Sequence, residues 1–109
     1  MGYEDALKAA GAKVLLFEQF GSYQGDWYAK VEYNGKSGWI NGSYGSCSGC
    51  DAFEADFGWD EPTPETLAEF GKQYLDLIMT QEEAEAHATK NGLWDVEAAT
   101  MVKFLKDNA

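Results

Sequence analysis

Cys47 and Cys50, in the run Gly45-Ser46-Cys47-Ser48-Gly49-Cys50-Asp51, are the two residues whose type and spacing come nearest to chemistry. Two thiols at this separation can close a small disulfide or supply half of a zinc site, and a helix placed just after them would lower the first thiol's pKa through its dipole. Zinc needs four ligands. The other soft donor in the chain is His87, so a site within one chain would also have to recruit His87 and a carboxylate such as Asp51. The plainer reading, preferred here, is two reduced and mostly buried small residues at a tight glycine turn. A thiol or metal site at Cys47 and Cys50 is the alternative.

Other catalytic sets are incomplete. The glycine and serine loop lacks both the G-x-x-x-x-G-K-[ST] and the G-x-G-x-x-G patterns that place backbone N–H groups around phosphate. Asp56-Phe57-Gly58 spells a kinase tripeptide without the rest of that signature set. His87 shares a helical stripe with Ala84 and Ala88, which predicts a packed histidine rather than a general base. No Ser/His/Asp or Cys/His set follows from the spacing, and there is no arginine to orient an anionic substrate. Neither enzyme activity nor a cofactor is expected.

Charge carries more information. Nineteen acidic residues stand against eight basic ones, for a formal net charge of −11 and a pI near 4.2. Residues 1–53 hold six acids and four lysines, whereas residues 54–109 hold thirteen acids and four lysines, so the field comes from the second half. Such a surface repels nucleic acid and anionic lipid and attracts basic protein surfaces, at rates that fall as salt rises. The candidate contact residues are Glu61, Glu65, Glu69, Asp76, Glu82, Glu83 and Glu85, joined by Tyr28 and Tyr44 as outward-facing aromatics. Solubility alone also accounts for the acids, and Glu82, Glu83 and Glu85 also suit the first turn of a helix.

The elements that must position these residues read as follows. Residues 3–10 form a short helix with Gly11 at its C-terminal end, and Ala12 to Phe20 is a buried strand. Trp27, Ala29, Val31 and Tyr33 alternate with Tyr28, Lys30 and Glu32, and Asn34-Gly35 turns the chain into a second strand, Lys36 to Ile40. Gly42 to Gly49 is a loop, and Cys50 to Phe57 a short helix. After the linker 58–64, Thr63 caps a helix with Pro64 at its first position and an apolar stripe of Leu67, Phe70, Tyr74, Leu77 and Ile78. Thr80 to Glu83 is a capping box opening a second helix that Asn91-Gly92 closes. Asp95 caps a third, with Trp94 as half of a hydrophobic staple and Ala98, Met101, Val102 and Leu105 on one face.

The fold expected is α+β: an antiparallel sheet of at least three strands under a C-terminal helical layer. Residues 1–109 should form a single domain, with a sheet-rich half (1–58) and an acidic helical half (59–109) sharing one core. That core should set Val14 to Phe17, Trp27, Val31 and Trp39 against Leu67, Phe70, Tyr74, Ile78, Val102 and Leu105. No apolar run approaches the roughly 20 residues of a membrane span. Met1-Gly2-Tyr3-Glu4-Asp5 lacks the basic start of a signal peptide, so a cytoplasmic protein with no membrane partner is expected.

Two local resemblances add to this. Asp26 to Ile40, continued to Tyr44, resembles the closing hairpin of bacterial Src-homology-3-type domains, over about 20 residues and without their opening segment. Gly21 to Trp27, with Tyr44 to Ala52 and its G-S-C-S-G-C-D motif, is similar to small phage- and prophage-encoded proteins. That second resemblance implies an accessory product that inhibits host defence or a host enzyme by occupying a nucleic-acid-binding surface. It carries no site residues with it. A thioredoxin-like fold is not implied by the two thiols, because Pro62 and Pro64 sit in a linker before helices rather than on a strand.

Overall fold

The computed structural model describes residues 2–21, 25–44, 63–91 and 98–109. The elements are α1 (Tyr3–Ala9), β1 (Lys13–Gly21), β2 (Gly25–Tyr33), β3 (Lys36–Tyr44), α2 (Pro64–Leu75), α3 (Gln81–Asn91) and α4 (Ala98–Asp107). The strands form one antiparallel sheet in the order β1-β2-β3, with helices packed on it, so the architecture is α+β.

Local chemistry explains most boundaries. Gly11 ends α1 with φ at +101°, a conformation that a Cβ would strain, while Ala12 N–H returns to Leu7 O at 3.1 Å. Asn34 and Gly35 both take positive φ, 51° and 77°, and so match the twist of the strands they join. Thr63 accepts from Thr66 N at 3.2 Å to open α2, with Pro64 at its first position. Thr80 and Glu83 form the reciprocal box at α3: Thr80 N–H donates to Glu83 Oε1 at 2.9 Å and Glu83 N–H to Thr80 Oγ1 at 3.2 Å. The helix and staple expected over 50–57 and at Trp94 and Asp95 lie outside the described residues.

Two features correct the sequence reading. First, β3 runs on to Tyr44 rather than ending at Ile40, because Asn41, Gly42 and Ser43 keep pairing with Tyr28, Trp27 and Asp26. Gly42 is required there: a Cβ at this position would strike the Trp27 indole on the neighbouring strand. Second, the sheet is covered on both faces. On one face α1 and α2 enclose Tyr3, Leu7, Trp27, Ala29, Val31, Ile40, Leu67 and Phe70, with Phe17 and Tyr74 at the margin. On the other, α3 and α4 pack Ala84, Ala88, Met101 and Leu105 on Phe20, Tyr28 and Trp39. The single core face expected from the sequence is therefore two, with Trp39, Val102 and Leu105 on the side opposite Phe70.

A bulge in β1 makes the first face continuous. The register with β2 slips between Val14 and Leu16, leaving Leu15 as the additional residue, 41% exposed. Val14 and Phe17, three residues apart, then pack against the same cluster. The helix pair on this face is close because Gly71 of α2 lies against the Ala6 backbone of α1, where no Cβ would fit.

Candidate protein-binding surface

The exposed carboxylates of α2 follow from what the helix buries. Leu67, Phe70, Gly71 and Leu75 face the sheet and α1, which leaves Glu65, Glu69 and Asp76 on the solvent side. At about 1.5 Å rise per residue, Glu65 and Glu69 lie about 6 Å apart along the axis and the stripe to Asp76 extends about 16 Å. Lys72 lies within the same stripe. Leu77, 66% exposed, follows Asp76 directly and adds an apolar side chain at the end of the acidic row.

The acids of α3 divide by role. Glu82 is exposed and, like Glu65, Glu69 and Asp76, makes no ion pair among the described residues. Glu83 is exposed but holds the helix cap. Glu85 is half-buried, accepting from Gln81 Nε2 at 2.9 Å and lying 3.9 Å from Lys106 Nζ. Four of the seven candidate carboxylates thus remain available to a partner, two are engaged within the protein, and Glu61 lies outside the described residues.

Tyr28 is not a contact residue. It is 1% exposed, because α3 and α4 cover the sheet face on which alternation places it. Its hydroxyl shares a 3.1 Å hydrogen bond with His87 Nδ1. Burial, with the Asp26 charge nearby, pushes the phenol well above its ordinary pKa, so it stays protonated. His87 packs as expected, on a helix whose buried positions, Ala84 and Ala88, are small enough to bring it close to the sheet. Tyr44 is the last residue of β3, and Cys47 and Cys50 lie outside the described residues.

Polar groups that sequence reasoning missed tie this second face together. Trp39 Nε1–H donates to Gln81 Oε1 at 2.7 Å, and Gln81 Nε2 donates to Leu105 O at 2.8 Å. Lys30 Nζ donates to Asn108 O at 2.6 Å and stands 5.8 Å from the centre of the Trp39 ring. The available signal was Trp39 itself, since a buried indole commonly finds an acceptor, although the fully buried Trp27 indole of β2 has none among the described residues.

No family model, curated protein or solved structure matches this chain. Among the described residues no cluster of three or more histidine, cysteine or acidic side chains could hold a metal, and no helix is long and apolar enough to cross a membrane. Among the described residues, a groove of about 450 Å³ lies between α3 and α4, lined by Thr89, Ala99, Val102 and Lys106, and another of about 430 Å³ lies at the β2-β3 turn beside Lys13 and Lys36.

Proposed function

We propose that this protein is a non-enzymatic acidic binding protein of phage type, which engages a basic surface on a host or defence protein and occupies it in place of nucleic acid. The observation that supports this reading is the row of exposed carboxylates Glu65, Glu69 and Asp76 on α2, together with exposed Glu82 on α3, with no internal cation paired to them among the described residues. Carboxylates held on a rigid helix and left unneutralised attract a cationic partner over roughly a Debye length, about 10 Å at 0.1 M salt. The phage assignment rests on the G-S-C-S-G-C-D resemblance.

Pull-down from host lysate at low and high salt tests the proposal, using the native chain and a Glu65→Gln, Glu69→Gln, Asp76→Asn variant. The expected result is a partner retained at low salt, released as salt rises, held at least about tenfold less well by the variant, and competed off by nucleic acid. An absent partner, or one insensitive to both salt and the three substitutions, overturns it. Because the three side chains are exposed, the variant should keep its stability within about 0.5 kcal/mol, which separates lost binding from lost folding.

A further inference from the structure

The dipeptide Asn-Gly occurs three times, at Asn34-Gly35, Asn41-Gly42 and Asn91-Gly92. It is the pair most prone to lose the asparagine amide, because the backbone nitrogen of an unhindered glycine can reach the preceding side-chain carbonyl carbon. The reaction needs two freedoms. The glycine N–H must be out of any hydrogen bond, and the asparagine carboxamide must be able to turn towards it. Gly92 lies outside the described residues, so the fold bears visibly on the first two sites.

Asn34 and Gly35 have both freedoms. They are the central residues of the β2-β3 turn, with φ of 51° and 77°, and both are exposed. Tyr33 and Lys36 are the last paired residues of the ladder, so Gly35 N–H lies beyond it, and a Cβ built on Gly35 would meet nothing within 4 Å. The Asn34 carboxamide has no hydrogen-bond partner among the described residues. Asn41 and Gly42 have neither freedom. Asn41 Nδ2 donates to Trp27 O at 3.1 Å and to Gly42 O at 3.3 Å. Trp39 turns its N–H and C=O outward to Met79, so alternation turns those of Gly42 inward, into the ladder opposite Trp27. Ring closure at Asn34 takes a rearrangement of the two turn residues alone, whereas at Asn41 it takes separation of β3 from β2.

We propose that Asn34 is a site of spontaneous modification, at which water converts the side-chain amide to a carboxylate through a cyclic imide with Gly35. Hydroxide removes the Gly35 N–H proton, the nitrogen bonds to Asn34 Cγ, and the Cγ–Nδ2 bond breaks to release ammonia, which takes a proton from water. A second water opens the imide. Attack at Cγ leaves aspartate in the normal chain, and attack at the backbone carbonyl leaves isoaspartate, whose main chain runs through the side chain and gains a methylene. Either product adds a negative charge beside Lys13 and Lys36, which line the same groove. The isoaspartate also lengthens a two-residue turn whose dihedrals match the twist of its strands, and so loosens the hairpin.

Peptide mapping by mass spectrometry tests the site, on the native chain and on the chain in concentrated urea, both held at mildly alkaline pH. Each conversion adds about 1 Da, and the aspartate and isoaspartate peptides separate chromatographically. In the native chain Asn34 should convert at least about tenfold faster than Asn41, which is held by a carboxamide bond and a ladder bond. In urea the two rates should lie within about threefold of each other, since both asparagines then precede an unrestrained glycine. Equal native rates, or a faster Asn41, overturn the proposal. So does an Asn34 that stays intact in the native chain for as long as the unfolded chain takes to convert it fully. The native preference persisting undiminished in urea also overturns it, since the neighbouring residues rather than the fold would then set the rates.

Discussion

Gly42 and Tyr28 show how strongly a single position is constrained when both faces of a sheet are covered. A methyl group at residue 42 has nowhere to go, since its direct partner Trp27 is fully buried and lies across the space. Gly42→Ala is therefore expected to destabilise the fold by about 1–3 kcal/mol, read as a lower urea midpoint with an unchanged slope. Tyr28 gives a pH signature. Its folded pKa is raised above the ordinary value of about 10, so its contribution is fully present below pH 10 and is lost as the pH rises from there towards the folded value. Urea midpoints of the native chain should fall steeply above pH 10. Tyr28→Phe should be less stable by about 1 kcal/mol at pH 8, through loss of the His87 bond, and should show a shallower alkaline fall.

At the scale of elements, what could be read from the sequence was decided by how local the determinant was. The β2-β3 hairpin depends on Asn34-Gly35, and α2 and α3 begin where Thr63 and Thr80 cap them, so each signal lies within a few residues of its effect. The exposed acids of α2 were equally legible, as the complement of the Leu67, Phe70 and Leu75 stripe. The fate of Tyr28 depends instead on which helices cover which face, a long-range fact that alternation along β2 does not contain. Trp27-Tyr28-Ala29 is a run buried on both sides, and reading it as inside-outside-inside assumed that one face was wet. Gln81 was invisible for the reverse reason, since a polar residue in a first helical turn ordinarily faces water. For α2 the expectation is quantitative: Phe70→Ala should cost about 3–5 kcal/mol, because Phe70 meets both Tyr3 and Tyr74 inside the first cluster, and thermal unfolding would register it directly.

For the whole molecule, the sheet is the shared wall between two clusters, and neither half of the chain supplies all of either one. A fragment ending at residue 58 keeps the entire described sheet but removes α2 from one face and α3 and α4 from the other. It is expected to lack a cooperative thermal transition, and dispersed amide resonances with a sharp transition would show that the sheet and α1 suffice. The net charge of −11 acts in addition to packing. Self-repulsion of the folded state is screened by salt, so the midpoint temperature should rise by a few degrees, about 2–5 °C, between 20 and 500 mM sodium chloride. A flat or falling response would mean that attractive ion pairs outweigh the repulsion.

The bulge at Leu15 has an effect beyond aligning Val14 with Phe17. Among the described residues β1 is an outer strand, nine residues long, and a straight outer strand of that length is a template on which a second chain can add its own backbone. The misplaced residue breaks the regular spacing of the outer backbone groups, and exposed Lys13 and Glu18 put charge along the same border. The bulge thus disfavours edge-to-edge growth, and deleting Leu15, which would straighten the border, is expected to make concentrated protein more prone to fibrils, read by thioflavin fluorescence against the native chain.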